Sequence, residues 1–153
     1  MNQKVIDVLN QAREQELTAI AQYMTHHYEL EDAMYGKLAD RLKAIAIVEM
    51  RHAEEFAERI LYLGGTPSTK LWDTNIKKKQ GIPELLENDR GLEAGAIKAY
   101  NDYAKICADE GDHVSKQLFE KIAAQEEGHW DEFDNTLDKV NNLGGAYLAT
   151  LTG

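Results

Sequence analysis

The sequence predicts an all-α fold: a four-helix bundle of two helical hairpins joined by one long crossover, followed by a short fifth helix. Three observations predict it. Only two prolines interrupt 153 residues, and Leu, Ala, Glu and Lys, all good helix formers, dominate the long segments. Apolar residues recur at steps of three, four and seven, the signature of one helix face. Finally, the chain repeats itself: Glu16, Tyr23, Glu49 and His52 reappear 77 positions later as Glu93, Tyr100, Glu126 and His129. Leu9/Leu86, Ala19/Ala96, Ile20/Ile97, Ile45/Ile122, Ala46/Ala123, Glu55/Glu132 and Phe56/Phe133 share that offset.

The first helix is expected over roughly 4–30, with Val5, Val8/Leu9, Ala12, Glu16, Ala19/Ile20, Tyr23 and His27 as its stripe. Leu38, Leu42, Ile45, Glu49, His52, Phe56 and Ile60/Leu63 mark the second, roughly 33–63, which Gly64-Gly65 ends with a left-handed cap. Residues 66–80 read as a connection. Its length reaches about 55 Å when extended, more than the ~40 Å of a 27-residue helix, so it can return along the whole bundle. Lys77, Lys78 and Lys79 within it read as a solvated run.

Pro83 suits the first turn of the third helix, whose stripe is Leu86, Glu93, Ile97, Tyr100, Ala104 and Cys107, closed by Gly111-Asp112. The fourth carries Val114, Leu118, Ile122, Glu126, His129, Phe133, Leu137 and Val140, and ends at Asn141-Asn142 and Gly144-Gly145. Residues 146–151 supply the fifth.

The stripes carry carboxylates and histidines where apolar residues belong. A carboxylate is costly to bury without a counter-charge. Residues equidistant from a turn lie level in an antiparallel hairpin, so Glu16 faces Glu49 and Glu93 faces Glu126 near mid-bundle. Each Glu-x-x-His sets two ligands one turn apart on a single face. Four carboxylates and two imidazoles with no thiolate suit iron, manganese or zinc, and two divalent ions balance the four negative charges. The spacing assigns Glu16 and His52 with Glu49 to one metal, and Glu93 and His129 with Glu126 to the other. Glu49 and Glu126 are placed to bridge. Tyr23 and Tyr100, seven residues beyond the terminal carboxylates on the same faces, are placed to hydrogen-bond the ligands. A lone Glu-x-x-His carries little weight; two of them, each with a glutamate 33 residues upstream in a duplicated helical frame, carry much.

Composition narrows the class further. With 43% hydrophobic residues the chain is globular, and its length suits one domain. A net charge of −10 argues against nucleic-acid binding. The single cysteine, Cys107, permits no internal disulfide, which points to a reducing cytoplasm. The N-terminal residues lack the apolar core of a signal peptide, and no segment approaches the ~18 apolar residues of a membrane helix.

On the segments Glu16-Leu17-Thr18-Ala19-Ile20-Ala21-Gln22-Tyr23, Glu49-Met50-Arg51-His52-Ala53-Glu54 and Glu126-Glu127-Gly128-His129, and over nearly its whole length, the chain resembles the bacterioferritins of the ferritin-like superfamily. The resemblance implies a single ferritin-like domain over 1–153 and a ferroxidase: two Fe(II) bind at the six ligands and are oxidised by O2 or H2O2. The ferric product becomes a mineral inside a shell of twenty-four subunits, built from twelve dimers. An electron-donor protein for iron release would be a further partner. Met50, rotated ~100° from the ligand face, reads by itself as a surface or interface residue. The resemblance instead implies that it ligates a b-type or related haem on the dimer axis, with Leu17, Ile20, Met24 and Ile47 as apolar walls. Some relatives carry a His and an Asp, two turns and one turn before the second-helix histidine, as an inner-surface iron site. Ala44 and Val48 stand there in this chain, so that route is not expected.

Of the remaining residues, His26 and His27 read as helix-end or surface residues, His113 as the start of the fourth helix, Trp130 as a packing or subunit contact, and Cys107 as core. Two other classes fit the ligand set. A discrete di-metal peroxidase or manganese catalase would turn over peroxide without mineral; a rubrerythrin would carry a module with four cysteine ligands, which the single cysteine excludes. A haem electron carrier would depend on Met50 and not on Glu16.

Overall fold

The structure is a computed structural model that describes residues 2–153. Helix α1 is Gln3–Asp32, α2 Gly36–Tyr62, α3 Ile82–Asp109, α4 His113–Leu143 and α5 Gly145–Ala149. They form the expected bundle. α1 packs along α2 and α3 along α4 as antiparallel hairpins, and α1 meets α3 across the bundle. No helix described is long and apolar enough to cross a membrane.

Three turns share one geometry. After α2, Gly64 takes φ 87°, Gly64 N–H donates to Leu61 O, and Gly65 N–H donates to Ile60 O at 2.9 Å. This pair of bonds satisfies the last carbonyls of the helix. Gly111 (φ 78°) closes α3 the same way, with Asp112 N–H on Cys107 O. Met34 does it after α1 with φ 68°, its own N–H on Glu31 O and Tyr35 N–H on Leu30 O. Met34 and Gly111 are 77 positions apart, so the duplicated hairpins keep the turn with methionine in one copy and glycine in the other. The turn also moves the start of α2 from the expected 33 to Gly36. At the other end of the second turn Asp112 caps α4, its carboxylate accepting from Ser115 N–H at 2.9 Å and pairing with Arg59 at 2.9 Å.

The crossover lies against α1, held by polar side chains. Asn10 donates to Thr66 O and accepts from Ser68 N–H; Arg13 donates to Ser68 O. Thr18 Oγ1 accepts from Trp72 N–H, and the Gln22 amide closes two bonds with the Lys77 backbone. Residues 10, 18 and 22 share one face of α1, so the strap follows the helix axis. Lys77, Lys78 and Lys79 are exposed, as expected.

The core falls into two apolar clusters. One holds Leu9, Phe56, Tyr100, Cys107, Phe119 and Ile122; the other holds Tyr23, Leu38, Leu42, Leu86, Phe133 and Leu137, with Leu151 tucked in beyond α5. Between them lies a layer of buried carboxylates and imidazoles.

Candidate metal centre

Each long helix contributes at mid-length. Glu16 comes from α1, Glu49 and His52 from α2, Glu93 from α3, and Glu126 and His129 from α4. All four glutamates are 1% exposed, and the His52 and His129 side chains 2% and 12%. His52 Nδ1 lies 3.1 Å from Glu126, 3.5 Å from Glu16 and 3.6 Å from Glu49. His129 Nδ1 lies 3.0 Å from Glu49, 3.4 Å from Glu126 and 3.5 Å from Glu93.

The six side chains present two overlapping sets of candidate ligand atoms, each set within 4.8 Å: Glu16, Glu49, His52 and Glu126, and Glu49, Glu93, Glu126 and His129. The spacing-based assignment put Glu49 with one metal and Glu126 with the other, as bridging candidates. In the structure both belong to both sets, and each histidine sits closer to the shared glutamate of the other hairpin. The reason is the bundle itself, which brings the α2 and α4 stripes together across the centre.

The hydrogen bonds leave these atoms free. Tyr23 Oη donates to Glu93 Oε1 at 2.7 Å and Tyr100 Oη to Glu16 Oε1 at 2.6 Å, each tyrosine crossing to the other hairpin. The other oxygen of each carboxylate, Glu93 Oε2 and Glu16 Oε2, has no partner. Glu49 Oε1, Glu126 Oε1, His52 Nδ1 and His129 Nδ1 are likewise buried and make no hydrogen bond. Unsatisfied buried polar atoms are rare in native proteins; here six of them converge on one layer, all acceptors or potential electron-pair donors. That donor set fits a pair of cations.

Electrostatics point the same way. Burial pushes the Glu16, Glu49 and Glu93 carboxyls above their usual range, and neighbouring carboxylates add to it. Burial acts on Glu126 too, but contact with His129 and His52 outweighs it and holds this carboxyl low. Burial would lower both histidines, yet contact with Glu126 and a terminal glutamate raises His52 to about 10 and His129 to about 9. Without metal, protons and imidazolium charges neutralise the layer; divalent cations would displace them. Burial, then Glu93 and Glu16 respectively, raises Tyr23 and Tyr100, so both stay phenols that can donate.

A cavity of about 210 Å³ leads to the layer between α1 and α3, with Glu49, Glu126, Tyr23 and Tyr100 on its inner wall and Trp72 and Asp73 of the crossover beside it. Gly91 and Gly95 line it, and a Cβ at either would meet nothing within 4 Å.

The ferritin-like domain model matches residues 6–143. The bacterioferritin of Desulfovibrio desulfuricans is 47% identical over 150 residues, 98% of this chain and 83% of the relative. The chain belongs to the bacterioferritin family. The solved structure of the Desulfovibrio desulfuricans protein, described with its diiron site in different catalytic states, covers 100% of this chain and 92% of its own, at a TM-score of 0.95 and 44% identity. That of Rhodobacter capsulatus, described with a metal-free dinuclear site and heme iron in a crystallographic special position, reaches 0.93 at 38% identity, over 100% and 95% of the two chains.

Met50 stands away from the layer on α2, 55% exposed, with Ile47 one turn before it 40% exposed. Leu17, Ile20 and Met24 are half-buried on α1, Ala44 is exposed and Val48 half-buried. Cys107 is fully buried, and burial pushes its thiol up to about 12. His113 opens α4 exposed, and Trp130 is half-buried.

The surface reading of His26 and His27 is overturned. Both are buried, at 0% and 4% exposure. His26 pairs with Asp89 on α3 at 2.8 Å and meets Gln80 of the crossover; His27 Nδ1 donates to Ala39 O of α2 at 2.6 Å. α1 is enclosed by α2, α3 and the strap, so its buried arc is wider than one stripe. Asp89 itself went unselected, although Leu86, Asp89 and Glu93 keep helical spacing. Gln125 was also missed: it accepts a short hydrogen bond from His52 Nε2.

Proposed function

We propose that this chain is an iron-storing bacterioferritin subunit that oxidises Fe(II) at an intrasubunit centre formed by Glu16, Glu49, His52, Glu93, Glu126 and His129. The observation that carries the reading is the convergence of six unsatisfied buried ligand atoms into two sets that share Glu49 and Glu126. Fe(II) is the substrate, and two ions held by shared carboxylates can give up two electrons together. O2 or H2O2 receives them. Glu16 and Glu93 each offer one free oxygen because Tyr100 and Tyr23 hold the other. The buried layer excludes bulk water, and the cavity between α1 and α3 gives a small reactant a way to Glu49 and Glu126.

Storage requires an enclosed space, which the family supplies as a shell of twenty-four subunits in twelve dimers; the ferric product would collect inside it, in the cytoplasm, until an electron-donor protein releases it. The relative from Rhodobacter capsulatus, with its heme iron on a crystallographic special position, supports a haem shared by two copies. The exposed Met50, with Ile47 beside it, is the residue of this chain suited to ligate that iron from each side.

Size-exclusion chromatography with light scattering and in-line visible spectra tests both parts. A shell-sized particle with a Soret band that Met50→Leu removes, and that takes up Fe(II) as mineral, is the expected result. A monomer or dimer that destroys peroxide without forming mineral would make it a discrete di-metal enzyme instead.

A further inference from the structure

The duplication makes the two halves of the metal centre look equivalent, and one residue breaks the equivalence. His52 Nε2 donates to Gln125 Oε1, so the ring is held with Nδ1 toward the carboxylates. A partner of this kind sets the tautomer and orientation of a ligating histidine. The repeat places Val48 at the position matching Gln125, and valine can accept no hydrogen bond. Among the described residues, every polar contact of His129 runs through Nδ1, to Glu49, Glu93 and Glu126. Its side chain is also the more exposed, 12% against 2% for His52. One imidazole is held at both nitrogens and the other at Nδ1 alone.

We propose that Gln125 is a positioning residue that makes the two metal sites unequal, so that the site of Glu16 and His52 holds a divalent cation more tightly than the site of Glu93 and His129. The inference rests on the reading of the six residues as metal ligands.

Co(II), which O2 oxidises far less readily than Fe(II) and which reports its ligands by visible absorption, is the probe. Because shared carboxylates couple the two sites, affinities are compared where one site remains. His129→Ala leaves the His52 site, and His52→Ala leaves the His129 site. Titration of the metal-free assembled protein should give a Kd about tenfold lower in the His129→Ala background, the scale of an outer partner's contribution. Gln125→Ala should raise Kd about tenfold in that background and leave the His52→Ala background unchanged. Gln125→Glu, which keeps an acceptor oxygen, should restore the tight site. Gln125 is exposed in mid-helix, so alanine leaves the fold intact. Equal Kd values in the two backgrounds, or an equal effect of Gln125→Ala in both, would overturn the proposal. Absence of Co(II) binding to the unsubstituted protein would overturn the metal-centre reading itself.

Discussion

Tyr23 and Tyr100 decide which oxygens of the centre are free. Each takes one oxygen of a terminal glutamate in the opposite hairpin, so their loss should act on affinity before it acts on fold. Tyr23→Phe should weaken Co(II) at the Glu93 site about tenfold and cost about 1 kcal/mol of stability; a titration beside a denaturant melt separates the two effects. The ligand stripe was legible in the sequence because a glutamate inside an apolar period has no other easy reading. Gln125 was not, because it sits one position off that stripe and only the partner helix shows what it reaches. His27 lies on the α1 stripe, yet with His26 it was read as a helix-end or surface residue, because neighbours in sequence can both be buried only when a helix is covered on several sides, and a single-stripe pattern does not reveal the strap.

Helices and turns carry their own tests. Met34 holds a left-handed conformation where its counterpart in the other hairpin is Gly111. A non-glycine residue there costs roughly 1–2 kcal/mol, and Met34 is 74% exposed, so little packing is lost on replacing it. Met34→Gly should therefore stabilise the metal-free protein by about 1 kcal/mol in chemical denaturation, the rarer direction for a substitution to glycine. Asp112 caps α4 and pairs with Arg59. Burial acts to raise its carboxyl, but bonds from Ser115 and the Arg59 charge outweigh it and hold it below the usual range. A carboxyl depressed in the folded state stabilises above its unfolded value of about 3.9, and that stability is lost as pH falls through the folded value. Asp112→Ala should cost about 1–2 kcal/mol near pH 7, with the gap to the unsubstituted protein closing below about pH 4; melts across that range measure it. Helix existence was legible from periodicity and the glycine caps. The start of α2 was not, since nothing in Ala33-Met34-Tyr35 announces a left-handed turn. The path of the crossover was hidden too, because Asn10, Thr18 and Gln22 look like a solvated face until the strap covers it.

Across the whole molecule, the charged layer that divides the core ties folding to metal. Cations that bind the folded bundle and not the unfolded chain stabilise it by mass action. Chelation should lower the midpoint of thermal unfolding by several degrees, since ~1 kcal/mol is worth about 2–4 °C at this size, and Co(II) should restore it; calorimetry reads both. The bundle and its central layer were legible from the 77-residue repeat. Which stripes meet across the centre was not, because spacing within a hairpin says nothing about how two hairpins dock. The sharpest test of the centre is stopped-flow oxidation of Fe(II) added in steps to the metal-free protein, with Glu49→Ala alongside. A fast phase that saturates at two Fe(II) per subunit, and that Glu49→Ala abolishes because both sites share this carboxylate, is expected. An equally fast phase in Glu49→Ala would contradict the shared di-iron centre.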